Sequence, residues 1–233
     1  MKKLLIIIVA AIAFMGCQMK TGSGNIITEQ RNAKGFKEVS AGGSFVVKLK
    51  QGDSYKVTVE ADDNIIDDIE TEVNGDKLTI QFRTGVSLNN ITAKIYIEAP
   101  EFKFIGGSAS ADIESENTLQ SDSKIKVDAS SAADMNITID APAVEAQASS
   151  GSTLVLKGQT KNIDTQASSG AQLNANELLA ENAKAQASSG AAIDLHASIS
   201  LNAQASSGAS VDYRGNATVS RQESSGGSIT KRD

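Results

Sequence analysis

The chain has 233 residues and a formal net charge of −6 at neutral pH, with 40% apolar and only 4% aromatic residues. This length allows one large all-β domain or two small ones. The single cysteine excludes a disulfide framework and the single histidine excludes a multi-histidine metal site, so we expect no metal and no cofactor. An acidic chain without a basic cluster also argues against nucleic acid as a partner.

Residues 1–16 have the features of a signal peptide. A positively charged start precedes an apolar run of eleven residues, Leu4 to Phe14, which is too short to span a bilayer as a helix. Gly16 stands directly before Cys17, the only cysteine. This arrangement resembles a bacterial lipoprotein signal, which implies that the Cys17 thiol is lipidated and becomes the new N-terminus. An ordinary signal peptide followed by a coincidental cysteine is the alternative.

Residues 17–25 are predicted to be the lipidated cysteine and a short tether, because the segment after Cys17 is polar and contains two glycines. The lipoprotein resemblance implies a membrane partner through the lipid anchor. Gln18 stands where an aspartate would retain a lipoprotein at the inner membrane. We therefore expect an outer-membrane lipoprotein of the cell envelope, facing either the periplasm or the outside.

Residues 26–105 are predicted to form an irregular, aromatic-rich N-terminal part. Alternating patterns predict strands over residues 44–49, 55–60, 77–82 and 91–98. The dipeptide Asn74-Gly75 predicts a hairpin between residues 69–73 and 77–82. This part is either a set of wider, irregular rungs of the repeat that follows or a separate subdomain.

An acidic run lies in the middle of this part. Residues 63–70 could form one short helix, and we expect its acids on an exposed face rather than in a catalytic pair. The acids concerned are Asp62, Asp63, Asp67, Asp68, Glu70 and Glu72.

Residues 106–233 contain a regular repeat. The pentapeptide Gln-Ala-Ser-Ser-Gly and its variants place their first serine at positions 130, 149, 168, 188, 206 and 224, a repeat of about nineteen residues. Apolar residues alternate with polar ones between these copies, which indicates strands. The sequence therefore predicts an all-β, parallel β-solenoid similar to a right-handed β-helix, with two short strands per rung and a corner at Ser-Ser-Gly.

The alternation assigns each residue of a rung to the inside or the outside. Alanines such as Ala185 are predicted to point inward, and the second serine of each corner has the same inward parity. The last rung carries Arg221 and Glu223 at inward positions and is predicted to be a polar cap. The glutamines are predicted to form one outward column, which is the candidate ligand surface: Gln147, Gln166, Gln186 and Gln204.

The motifs resemble a known family. The segment Gly-Ser-Gly-Asn-Ile-Ile-Thr-Glu at residues 22–29, Gly-Phe-Lys-Glu-Val at residues 35–39 and the Ser-Ser-Gly corners are similar to the auto-transporter adhesin head domain with the GIN motif. That family is frequent in lipoproteins of Bacteroidetes, and the resemblance covers residues 24 to 230. It implies a fold like that of pectin-lyase β-helices and a role in adhesion.

Two functions remain open from the sequence. The first is a non-enzymatic, adhesin-like or scaffolding module that binds a glycan or a surface protein; the oligomeric state is not predicted. The second is a polysaccharide lyase or hydrolase with a site in the N-terminal third. Asp194 and Asp212 are the only carboxylates predicted to be neighbours on successive rungs, and a solvated face is the favoured interpretation for them. His196 is predicted to be a solvated histidine.

Overall fold

The computed structural model describes residues 18–232 of the chain. The signal peptide predicted over residues 1–16 and the lipidation predicted at Cys17 lie outside the described residues. Between residues 18 and 232, the chain forms no helix long and apolar enough to cross a membrane.

The described residues form strands and one short 3-10 helix, Ile66–Asp68. The first ten strands are β1 (Gln18–Thr21), β2 (Ile26–Arg31), β3 (Glu38–Gly42), β4 (Val46–Gln51), β5 (Lys56–Asp62), β6 (Ile69–Asn74), β7 (Lys77–Phe82), β8 (Val86–Asn89), β9 (Ala93–Ala99) and β10 (Phe104–Ser108). The others are β11 (Asp112–Ser115), β12 (Leu119–Gln120), β13 (Ile125–Ala129), β14 (Asp134–Ala148), β15 (Thr153–Ala167), β16 (Gln172–Ala187), β17 (Ala192–His196), β18 (Ser200–Ala205), β19 (Ser210–Arg214), β20 (Thr218–Glu223) and β21 (Ser228–Lys231).

The predicted β-solenoid is confirmed. From β10 onward every pairing is parallel, and the coils stack into a solenoid of about six turns. Inward and outward positions follow the predicted alternation, because Ala185 is fully buried while its neighbour Gln186 is partly exposed. In the last rung, Arg221 and Glu223 are exposed although they pair with buried alanines of the preceding rung.

The rungs differ from the prediction of two short strands. In three rungs the chain stays hydrogen-bonded to its neighbours through the corner opposite Ser-Ser-Gly. Strands β14 and β15 therefore run for 15 residues each, and β16 runs for 16. The strand bends where Pro142 and Ala143 both face away from the core, between buried Ala141 and Val144. The prediction of separate strands holds in the rungs after these three, at β17 and β18 and at β19 and β20.

The conformation of the Ser-Ser-Gly corners also differs from the prediction. Ser150 and Gly151 have φ angles of 54° and 69°, and the equivalent serines of the other rungs are also left-handed. Two left-handed residues in succession end the strand alternation, so Ser150 is exposed and the inward prediction for the second serine is wrong. Backbone hydrogen bonds, and not the serine side chain, join the corners of successive rungs. A corner amide donates to the next rung, as Gly151 N does to Ser169 O at 3.1 Å.

A glycine inside β15 marks a close backbone approach. Gly158 has a φ of +109°, and a Cβ at this position would lie 2.1 Å from the carbonyl oxygen of Ile139 on the preceding rung. Only glycine fits such a spacing.

The N-terminal part joins the same sheet. Strands β3 and β4 pair in parallel with β10 and β11, whereas β2, β5 and β6 add antiparallel pairings at the far end. The predicted hairpin is confirmed as β6–β7, and the four strands predicted from alternation are found to within two residues. Aromatic rings fill this end of the core, with Phe45 stacked on Phe82 at 4.2 Å between ring centroids.

The acidic run differs from the prediction. The helix expected over residues 63–70 is only the three-residue 3-10 turn, and two of its acids are buried: Asp62 and Asp68 are each 2% exposed. Asp62 accepts hydrogen bonds from the backbone amides of Gly24 and Thr92, both at 2.7 Å. The buried acids of the run therefore hold the segment that precedes β2 by hydrogen bonds, and they do not lie on an exposed helix face.

That segment, residues 18–25, is the N-terminal strap. The sequence predicts a short tether here, but β1 pairs in parallel with β8, and Lys20 forms an ion pair with Asp68 at 2.5 Å. The Ser23 hydroxyl donates to Asp63 at 2.6 Å. The strap is thus packed on the end of the solenoid, because the buried carboxylates need these donors.

Candidate ligand-binding face

The four predicted glutamines form a ladder along one side of the solenoid. Gln147, Gln166, Gln186 and Gln204 stand opposite one another in consecutive parallel pairings. Parallel strands lie about 4.8 Å apart, so the four amides span about 14 Å along the stack. We call these four residues the glutamine ladder.

A shallow groove of about 390 Å³ follows the ladder. The first serines of the corners form its other side: Ser149, Ser168, Ser188 and Ser206. Gln166 and Gln204 are exposed, while Gln147 and Gln186 are half-buried. The structure therefore brings the predicted ligand residues together in one concave surface.

The side-chain amides of the ladder make only long hydrogen bonds to neighbouring side chains. Gln186 Nε2 donates to Gln204 Oε1 at 3.3 Å, and Gln147 Nε2 donates to Glu145 Oε1 at 3.3 Å. Both distances are longer than the usual range for such bonds. Because each amide carries two donors and an acceptor oxygen, the ladder can exchange these contacts for hydrogen bonds to a bound molecule.

A charged column beside the ladder was missed by the sequence analysis. Lys126, Glu145, Asp164 and Lys184 occupy matching positions of successive rungs. Lys124 donates to Glu145 at 2.6 Å, and this hydrogen bond lowers the pKa of the Glu145 carboxyl. The signal was present in the sequence, because these residues recur at the same interval as the glutamines.

Asp128 occupies the rung before Gln147 in the ladder column. Burial raises the pKa of this carboxyl, and Lys126 opposes that effect from 3.5 Å. Its Oδ1 is covered and has no hydrogen-bond partner among residues 18–232. The column therefore ends at a carboxylate whose ionised form is only partly compensated.

The other candidate residues do not converge on one site. Asp194 and Asp212 are neighbours, as predicted, but Asp194 accepts a hydrogen bond from Asn176 and Asp212 is paired with Arg232. His196 is half-buried at its predicted outward position, and its Nδ1 is covered without a hydrogen-bond partner in the described chain. No group of three or more metal-ligating side chains is found in the described residues.

The family of the chain follows from comparison with known sequences. A profile described as "Putative auto-transporter adhesin, head GIN domain" matches residues 35–217, well over half of the chain. The chain belongs to this family. Membership confirms the resemblance seen in the motifs, and the described fold of this adhesin-head protein agrees with it. No curated protein matches the sequence.

Solved structures of similar fold come from Bacteroides and Parabacteroides species. A "putative adhesin" from Bacteroides fragilis superposes with a TM-score of 0.85 at 20% identity, over 91% of this chain and 100% of its own. A "putative adhesin" from Parabacteroides merdae gives 0.71 at 15% identity, over 93% and 100%. A protein from Parabacteroides distasonis described as a "putative lipid binding protein" gives 0.70 at 18% identity, over 93% and 100%. At these identities the likeness shows the fold alone.

The family indicates the broad class of function. The description of the family as an adhesin head suggests a protein associated with the cell surface or envelope.

Proposed function

We propose that this adhesin-head protein is a membrane-anchored, non-enzymatic lipoprotein of the outer membrane that binds a glycan or a surface protein through its glutamine ladder. One observation carries the proposal. Four amides and four serine hydroxyls line one groove at equal positions of successive rungs. This surface offers the same donors and acceptors at every rung, which suits a ligand with regularly repeated polar groups.

The location of the N-terminal strap supports an anchor at Cys17. Residues 18–25, which follow Cys17 directly, pack on the end of the solenoid that carries β2 and β5. Ten strand spacings separate β2 from β21, which is about 48 Å. A lipid on Cys17 would hold this end at the membrane and leave the ladder along the body that projects from it.

The anchor is tested by metabolic labelling with a fatty-acid probe. We expect the wild type to be labelled and to fractionate with the outer membrane, and Cys17→Ser to be unlabelled. Equal labelling of the two proteins would contradict the lipoprotein assignment.

The ladder is tested with beads coated with the protein on an array of glycans and surface proteins. Each amide contributes about 0.5–1.5 kcal/mol as a net hydrogen bond, so replacing all four glutamines by alanine removes about 2–6 kcal/mol. We expect the fourfold variant to lose at least about thirtyfold in affinity for any spot that retains the wild type.

A matched control uses glutamines outside the ladder. Gln159 and Gln172 are exposed on the same rungs but on other columns. The variant Gln159→Ala/Gln172→Ala should bind like the wild type. Normal binding by the fourfold ladder variant, with a fold intact by circular dichroism, would exclude the ladder as the ligand surface.

A further inference from the structure

A second concave surface lies in the N-terminal part, away from the ladder. Tyr96 on β9 is 37% exposed, one of the few large side chains with apolar character that the described residues present to solvent. Its strand lies between β4 and β5, which place Lys48 and Thr58 directly beside it. A pocket of about 300 Å³ opens over the ring, with Lys50, Lys56, Glu98 and Glu116 around it.

The lysines around this ring are unevenly paired. Lys48 contacts Glu114, and Lys94 lies 3.7 Å from Glu60. Lys50 lies 3.9 Å from Glu98, at the limit of an ion pair, and its side chain is 55% exposed. For Lys56 there is no carboxylate within 4.0 Å in the part of the chain that the structure describes. Two ammonium groups beside Tyr96 are therefore available to a bound anion.

Two carboxylates line the pocket, Glu98 and Glu116, and the first of them is already engaged. Glu98 Oε1 accepts a hydrogen bond from the Ser54 hydroxyl at 2.9 Å, which holds that acid toward the loop between β4 and β5. The Thr58 hydroxyl oxygen, on the strand beside Tyr96, is covered and lacks a partner among residues 18–232. An unmade hydrogen bond of this kind is costly.

We propose that this pocket binds an acidic saccharide, with a sugar ring stacked on Tyr96 and its carboxylate held by Lys50 and Lys56. An exposed aromatic face with a few converging polar groups is the usual composition of a small-ligand site. The three lysines that line the pocket outnumber its two carboxylates, in a chain whose net charge is −6. A charge-assisted pair between ammonium and carboxylate is stronger than a neutral hydrogen bond, so the site selects the acidic sugar over its neutral analogue.

The proposal is tested by calorimetric titration of the full chain with a trimer of galacturonic acid and, in parallel, with the neutral trimer of galactose. We expect saturable binding of the acidic trimer, weakening as salt rises from about 50 to about 500 mM, and at least about tenfold weaker binding of the neutral one. Tyr96→Ala and Lys50→Gln/Lys56→Gln should each weaken binding of the acidic trimer by at least about tenfold.

Three controls separate the site from folding, net charge and the ladder. Tyr96→Phe keeps the ring and should bind like the wild type, and Lys161→Gln, an exposed lysine on the shaft, should also leave binding unchanged. If Tyr96→Ala does not fold, Tyr96→Thr keeps a β-branched residue in the strand and replaces it. The fourfold ladder variant should bind the acidic trimer normally. The proposal is overturned by absent binding, by equal binding of the neutral trimer, or by undiminished binding in the Tyr96→Ala and double-lysine variants.

Discussion

The ion pair between the strap and Asp68 makes the N-terminal strap part of the fold, and Lys20→Met tests this. The Asp68 side chain is only 3% exposed and is bridged by Lys20 at 2.5 Å and Arg83 at 3.5 Å. Removing one partner of a buried pair typically costs about 3–5 kcal/mol. Because Arg83 remains and the Lys20 side chain is 31% exposed, we expect a smaller loss, about 2 kcal/mol, or about 4–8 °C in Tm for a domain of this size.

The assay is urea denaturation followed by tyrosine fluorescence. The chain has no tryptophan, and two of its three tyrosines, Tyr55 and Tyr96, lie in the N-terminal part, so the signal reports this end of the molecule. Lys34→Met, at an exposed lysine, is the control and should unfold like the wild type. Adding Asp68→Asn to Lys20→Met should restore more than half of the loss, because it removes the uncompensated charge. If Lys20→Met unfolds within about 0.5 kcal/mol of the wild type, the strap is not part of the cooperative unit.

Three further predictions concern the shaft and the strap. Ala185→Phe should lower the free energy of unfolding by about 1–3 kcal/mol or more through overpacking, whereas Gln186→Phe should be close to neutral. Gly158→Ala should be more destabilising than Gly170→Ala, because only the first adds a backbone clash to the cost of a left-handed φ, about 1–2 kcal/mol. Hydrogen bonds from the strap lower the pKa of Asp63 below its ordinary 3.8, so their stabilising effect is complete above that pH and is lost as pH falls through the folded-state pKa.

Thermal melts test the first two of these predictions, and hydrogen exchange tests the third. Thermal melts of the two phenylalanine variants that coincide would show the inward and outward assignment to be wrong. Equal melting of the two glycine variants would remove the close approach as a cause. For Asp63, the measurement is hydrogen exchange corrected for the pH dependence of the intrinsic rate: protection factors of the strap amides should fall on acidification through this range, while those of the shaft amides stay high. Strap protection factors that change in parallel with those of the shaft would contradict the assignment.

Local patterns predicted the shaft well, and the reason is its short-range regularity. Residues 18 to 20 apart meet in register, so the inward position of Ala185 and the outward column through Gln186 could both be read from alternation alone. The corners were predicted in place but not in conformation. Alternation assumes an extended backbone, and it fails at Ser150, where two left-handed residues intervene.

The N-terminal end could not be predicted in the same way because its contacts join distant parts of the sequence. Asp68 is buried by residues 48 positions before it and 15 after it, and no local pattern encodes those pairings. The exposure of Tyr96 likewise depends on which strands flank β9. Aromatic content showed where a wider core would lie but not which ring would face solvent.

The central claim is that binding is spread along the glutamine ladder, and a graded series of variants tests it most directly. Affinity for the array component that best retains the wild type should be measured for Gln166→Ala, for Gln166→Ala/Gln186→Ala and for the fourfold ladder variant. With about 0.5–1.5 kcal/mol per amide, the single variant should lose about twofold to tenfold and the loss should multiply with each further replacement. A single replacement that abolishes binding, or a fourfold variant that binds like the wild type, would contradict the claim.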